Sequence, residues 1–176
     1  TAEVARAHGA RVVAEKTPGY GRAYQAGFRE ARSDILVTLD GDGQYPVEDA
    51  PRLATLLLER DLDCLSGNRF PMAKGIMPLY RRFGNRLLTV TSRLLFRANI
   101  RDTQSGMWAF RREILDAVRP TQPSMPFSEE FKLKVVLAGL RFGEEHIAYR
   151  LREGHSTLRP LRHGWENLRY LVRLWR

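Results

Sequence analysis

Cysteine is almost missing from the 176-residue chain: Cys64 stands alone. One thiol cannot staple a fold, and with only four histidines there is no Cys/His cluster at zinc spacing. That usage fits a reducing compartment. Acids are outnumbered by bases, 20 against 29, for a net charge of +9. Such an excess suits an anionic partner: nucleic acid, anionic lipid or a phosphorylated substrate. No apolar run approaches the roughly 20 residues of a membrane span, and no segment reads as a signal peptide. Repeats and low-complexity tracts are absent. Gly19-Tyr20-Gly21 is neither a dinucleotide fingerprint, because Tyr24 stands where a third glycine is wanted, nor a Walker loop, because Lys-Ser/Thr is missing. The aromatic-basic interleaving of an RNA-binding sheet and a helix-turn-helix are missing too. Salt-sensitive retention on nucleic acid is expected from charge alone, without a specific nucleic-acid partner.

What the chain does contain is a core-forming composition, 43% hydrophobic and 28% charged, at a length that suits one domain. Its organising stretch is Ile35-Leu36-Val37-Thr38-Leu39, a short apolar run bounded by turn formers, which reads as a buried strand. Asp40-Gly41-Asp42-Gly43-Gln44 follows where the strand runs out, the edge at which open α/β sheets bind ligands. Asp-x-Asp offers hard oxygen ligands to magnesium or manganese and leaves positions for substrate phosphates. A polar turn accounts for the same residues. An EF-hand loop starting at Asp40 fails, since Tyr45 and Pro51 occupy its glycine and glutamate positions. Strand-Asp-x-Asp also resembles the haloacid-dehalogenase-like phosphatases, which continue with Thr or Val where Gln44 stands.

In chain order, residues 2–8 read as the end of a helix capped by Gly9, and 11–14 as a short strand. Residues 22–32 form a helix after the Gly19–Gly21 turn, which reads either as a plain strand-to-helix turn or as a helix start that helps to hold phosphate or sugar at Gly21. A helix runs to about Arg60 with Leu53, Leu56 and Leu57 inward, and 63–67 form the next strand. This alternation predicts a mostly parallel sheet flanked by helices. From Leu79 to Arg97, Phe83, Leu87, Val90 and Leu94 share one face, with Arg82, Arg86, Arg93 and Arg97 striped beside it. A basic amphipathic helix can lie on a membrane surface or grip phosphate; a core-packed helix with a solvated basic edge explains the same pattern. Ser128 caps a helix from Glu129 to Ala138, whose first-turn acids then need no catalytic explanation. Residues 146–150 read as a strand. His155 and His163 are surface or packing histidines. Residues 164–176 form an amphipathic basic helix, with Trp165, Leu168, Val172 and Trp175 on one side, suited to a bilayer interface or to docking on the domain.

Taken together, Gly19-Tyr20-Gly21 with Ala23, Leu39 to Pro46, Gly67-Asn68-Arg69-Phe70, Asp102 to Phe110, and Arg152-Glu153-Gly154-His155-Ser156 stand in the order of one family. The chain resembles family 2 glycosyltransferases of the dolichol-phosphate mannosyltransferase-like branch. The resemblance implies a Rossmann-like GT-A α/β fold over residues 1–163, with 164–176 as an appended helix. It also implies a nucleotide-sugar donor, Mg²⁺ or Mn²⁺, and a polyprenyl-phosphate acceptor at the cytoplasmic membrane face, where the protein would be peripheral. By position, Asp40, Asp42 and Gln44 would hold metal and donor diphosphate, with Asp42 central to catalysis. Arg69 would face a phosphate, Arg81 or Arg82 the acceptor loop ahead of Arg86, and Ser105 the acceptor. Glu129 or Glu130 would be the acidic position at a helix start, and Arg152 a late phosphate-binding arginine. Ser156-Thr157-Leu158 lacks the family's lysine, for which Arg159 would substitute. The family's first strand-helix-strand unit, which holds the nucleobase and ribose, is expected to be missing, so a non-catalytic fragment or membrane-surface module is the alternative.

Overall fold

Alternating short apolar runs and amphipathic segments produce seven helices and four strands over the residues that the computed structural model describes, 2–154 and 159–175. Helix α1 covers Ala2–Ala7, α2 Tyr20–Glu30, β1 Ile35–Thr38, α3 Asp49–Glu59 and β2 Cys64–Asn68. Then come α4 (Leu79–Phe96), β3 (Trp108–Arg111), α5 (Ile114–Val118), α6 (Phe127–Leu137), β4 (Phe142–His146) and α7 (Pro160–Trp175).

The sheet order is β1-β3-β2-β4. Strands β1, β2 and β4 run the same way, and β3 lies antiparallel between β1 and β2. The expected mostly parallel sheet is therefore mixed. After α4 ends at the left-handed Arg97, the chain returns to the edge where β2 ended, with Asp102 Oδ2 accepting the Arg69 N–H at 3.1 Å. Strand β3 consequently enters from that edge. Its alternation divides the core. Trp108 and Phe110 face an aromatic cluster with Phe127 and Phe131, with Tyr24 and Phe28 packed against it. Ala109 faces Leu53, Leu57 and Leu65. The Trp108 and Phe131 rings stack at 4.8 Å.

Several expectations shift. Residues 11–14 form no strand: none of them joins the sheet, and Val13 is exposed. The expected strand at 146–150 is β4 instead, because Phe142–His146 are the residues that pair with β2. Ser128 lies inside the first turn of α6 rather than capping it, and its hydroxyl meets Tyr20 Oη at 3.1 Å. Helix α7 begins at Pro160, so a boundary between 163 and 164 falls within one helix. Leu171 of that helix is fully buried with Leu88, Ile100 and Leu133, which makes α7 part of the core.

Helix α4 turns the less apolar of its faces inward. Leu88, Thr89 and Ser92 are buried, with Thr89 3.0 Å from Thr103. Phe83, Leu87, Val90 and Leu94 point outward, Phe83 being 72% exposed. A core-packed apolar stripe is thus ruled out. Helix α7 packs against α4 and exposes Leu161, Trp165, Val172 and Trp175. No helix among the described residues is long and apolar enough to cross a membrane.

Candidate active site

The mixed topology gathers four chain segments at one sheet edge: residues 39–44 after β1, Asn68 and Arg69 at the end of β2, 102–107 before β3, and 147–153 after β4. Asp40 is largely buried here. Tyr24 Oη donates to its Oδ1 at 3.1 Å. Burial first, and then the neighbouring Asp42 charge, raise the Asp40 carboxyl above the ordinary aspartate range. Tyr24, Tyr20 and the more distant Arg69 charge offset only part of this.

Asp42 is more open. Its Oδ1 accepts the Gln44 N–H at 3.1 Å, and its Oδ2 pairs with Arg152 Nη2 at 2.7 Å. The Glu153 N–H donates to Asp42 O at 3.0 Å and the Arg150 N–H to Gln44 O at 2.9 Å, so residues 150–153 lie across the acidic loop. Gly43 has a positive φ of 74°, and a Cβ there would meet Glu153 at 3.1 Å. Only glycine fits this crossing without strain.

Two features of this edge suit a divalent cation. Among the described residues no ion pair reaches Asp40, and the neighbouring Asp42 charge adds to burial in raising it. Gly106 also brings backbone close to Asp40: a Cβ there would lie 3.2 Å from both Asp40 oxygens and 2.8 Å from Tyr20 Oη, too tight for a side chain. Among the described residues no group of three or more His, Cys, Asp or Glu side chains gathers for a metal. Two carboxylates with phosphate and water oxygens match the habit of magnesium, which seldom uses an all-protein cage.

The remaining expected site residues divide. Gln44 is buried at the loop, with Nε2 donating to Arg150 O at 3.2 Å. Ser105 is fully buried, and its carbonyl accepts Trp108 Nε1–H at 2.6 Å. Arg69 sits at the edge but is 5% exposed and forked onto Asp102, with Nε–Oδ2 at 2.7 Å and Nη2–Oδ1 at 2.8 Å. Its guanidinium also lies 5.3 Å from the Tyr149 ring centroid. Gly21 has a packing role: a Cβ there would come within 2.0 Å of the Gln122 carbonyl oxygen.

Glu130 is a brace. It accepts the N–H groups of Thr121 (3.0 Å) and Gln122 (2.7 Å) and pairs with Lys134 at 2.8 Å. Glu129 is fully buried, with Ser92 Oγ 2.9 Å from Oε1 and no partner on Oε2. Burial pushes its carboxyl up to about 8, against the pull of Ser92. Both acids stand in the first turn of α6, as expected, and both are enclosed there.

No hydrogen bond or ion pair among the described residues links Arg81, Arg82 or Arg86 to the carboxylates. Arg81 is half-buried, with an unpartnered Nε and its guanidinium 5.9 Å from the Tyr80 ring centroid. Arg159 is exposed and meets His163 through its backbone, its N–H 3.2 Å from Nδ1 and its carbonyl accepting the His163 N–H at 2.9 Å. His155 and Ser156-Thr157-Leu158 lie outside the described residues.

Sequence reasoning missed three contributors. Tyr20, Tyr24 and Phe28 recur every fourth residue, a stripe that marked the buried face of α2 and hence Tyr24 beside Asp40. Tyr45 Oη accepts the Gly106 N–H at 2.7 Å. Lys132 is fully buried, donates to Asp102 O at 2.7 Å, and is lowered to about 8 by burial despite Asp102. No local pattern signals that lysine.

Residues 1–119 match the family described as Glycosyl transferase family 2. The chain is 34% identical over 164 residues to the dolichyl-phosphate hexose transferase of Haloferax volcanii, covering 93% of this chain and 71% of that protein. It is 30% identical over 175 residues to the low-salt glycan biosynthesis hexosyltransferase Agl6 of the same organism, covering 98% of this chain but 42% of Agl6. The structure matches glucosyl-3-phosphoglycerate synthase from Mycobacterium tuberculosis, in complex with Mn²⁺, UDP-glucose and phosphoglyceric acid, with a TM-score of 0.73. That match covers 97% of this chain and 62% of the other at 19% identity, so it shows the shared fold alone. The chain thus spans less than half of Agl6 and about three-fifths of the matched synthase.

Proposed function

The chain belongs to glycosyl transferase family 2, and from that membership we propose that it carries the transfer site of an enzyme moving a sugar from a nucleotide-sugar donor to a polyprenyl phosphate. The carrying observation is the Asp40–Asp42 pair at the end of β1, where no ion pair among the described residues reaches Asp40 and Gly106 approaches it without a side chain. The relative named for dolichyl-phosphate hexose transfer supports the acceptor class. The exposed apolar faces of α4 and α7, flanked by arginines, support a peripheral seat on the membrane that holds such a lipid.

Asp40 and Asp42 would hold Mg²⁺ or Mn²⁺. A cation there supplies charge neutralisation to the donor diphosphate as the glycosidic bond breaks. The anomeric carbon passes through an oxocarbenium-like state, as in glycoside cleavage. The acceptor phosphate oxygen attacks the opposite face and inverts the centre. A phosphate monoester has a second pKa of about 6, so it arrives largely as the dianion and needs no strong base. The burial of Glu129 and the bracing role of Glu130 agree with that economy. Arginine suits the positioning of such oxygens through its planar fork, and Arg152 is the arginine already at the carboxylates.

The test is transfer of labelled sugar from a panel of nucleotide sugars into organic-extractable polyprenyl phosphate by the natural full-length protein. Transfer that chelator and Asp42→Asn each abolish is expected. Unchanged transfer in that variant contradicts the assignment.

A further inference from the structure

We infer that Arg152 is a resident counter-cation of Asp42, which a divalent metal must displace and which is thereby delivered to the bound phosphate. The inference rests on the reading that Asp40 and Asp42 hold a divalent cation, and it assigns Arg152 a function before any ligand arrives.

Among the described residues, Arg152 is the one cationic side chain paired with either carboxylate. The contact is made on Asp42 Oδ2 at 2.7 Å, with Asp42 16% and Arg152 31% exposed. The backbone beneath it is fixed independently. Glu153 N–H bonds to Asp42 O, Arg150 N–H bonds to Gln44 O, and Gln44 Nε2 returns to Arg150 O. The Glu153 side chain rests on Gly43. Residues 150–153 therefore keep the guanidinium within reach of the loop, while its side chain, 31% exposed, also meets solvent.

A metal ion that binds Asp42 through Oδ2 competes there with the guanidinium, and its charge repels the arginine. Arg152 has five N–H donors and no acceptor, so it cannot join the coordination shell. The nearest favourable partner is then the anionic phosphate that the metal itself attracts, which matches the guanidinium fork. One residue thus opposes the metal when it comes alone and favours metal and diphosphate together. That coupling is reciprocal between the two ligands.

The experiment is calorimetric titration of Mn²⁺ into the protein, first alone and then with UDP, for wild type, Arg152→Gln, Arg152→Lys and Asp42→Asn. The pair is partly exposed, so the Arg152 variants are expected to fold, which urea midpoints verify. Arg152→Gln should bind Mn²⁺ alone about fivefold more tightly than wild type, the factor expected for removal of a partly solvated ion pair. The same variant should bind UDP in saturating Mn²⁺ more weakly than wild type. Arg152→Lys should restore much of the opposition to Mn²⁺ and less of the UDP affinity. Equal or weaker Mn²⁺ binding by Arg152→Gln, with Asp42→Asn abolishing binding, overturns the displacement and leaves the metal reading standing. Absence of Mn²⁺ binding in both wild type and Arg152→Gln overturns the two together.

Discussion

Glu129→Gln should make the protein more stable near neutral pH while leaving its stability in mild acid nearly unchanged. The carboxyl is fully buried, and one oxygen has no partner. Ser92 Oγ lies 2.9 Å from both Leu88 O and Glu129 Oε1. A hydroxyl has one proton, so when Ser92 gives it to Leu88 O, a protonated Glu129 completes the chain by donating to Ser92. The carboxyl is raised from 4.5 to about 8 in the fold. Its stabilising contribution is therefore fully present below the unfolded value and is lost as pH rises toward about 8. Each pH unit in that window costs about 1.4 kcal/mol, or about 3 kcal/mol between about pH 5 and about pH 7.5. Glutamine keeps the shape and a donor for Ser92 but cannot ionise. Lys132, also lowered to about 8, acts on Glu129 through its charge, which lowers the carboxyl, so the comparison reads Glu129 together with that coupling. Urea unfolding of wild type and variant at the two pH values gives the difference directly. Parallel pH dependences, or a variant less stable at the higher pH, would refute a neutral buried Glu129.

Two further perturbations probe the frame around the site. Asp102→Asn strips the counter-charge from Arg69, which is 5% exposed and held by two side-chain hydrogen bonds. Breaking such a pair costs about 3–5 kcal/mol, so a urea-derived loss below about 1 kcal/mol would show that Arg69 has another partner. Burial alone would raise the Asp102 carboxyl, yet Arg69 holds it below the ordinary range; this contribution is present above the unfolded aspartate value and lost as pH falls through the lowered one. The double variant Phe83→Ser with Leu87→Ser removes two exposed apolar side chains and should change stability by only about 0.5 kcal/mol per site. Its flotation with anionic vesicles should fall at least about tenfold, and unchanged flotation would move the membrane-facing surface elsewhere.

The sequence showed the acidic loop because that signal is local: an apolar run, then two carboxylates and glycines. Helix α3 was equally plain, since Leu53 and Leu57 lie at helical spacing and are both fully buried. The reversal of β3 was not legible, because Trp108-Ala109-Phe110 reads the same in either direction and the left-handed Arg97 carries no glycine signal. Periodicity found the apolar stripe of α4 but not its direction. The inner face is stabilised instead by Thr89 with Thr103 and Ser92 with Glu129, pairs far apart in sequence. The same distance hid Asp102 as the partner of Arg69, 33 residues away. Burial of two consecutive acids at the start of α6 runs against their usual solvated place and follows from α4 and the 121–122 turn closing over them.

The most direct measurement is anomalous diffraction from crystals grown with Mn²⁺ and UDP. The expected result is one manganese peak about 2.0–2.2 Å from carboxylate oxygens of both Asp40 and Asp42, bridging to the diphosphate, with Arg152 moved off Asp42 Oδ2. A manganese bound elsewhere, or UDP bound while Arg152 still occupies that oxygen and no metal touches either aspartate, would contradict it.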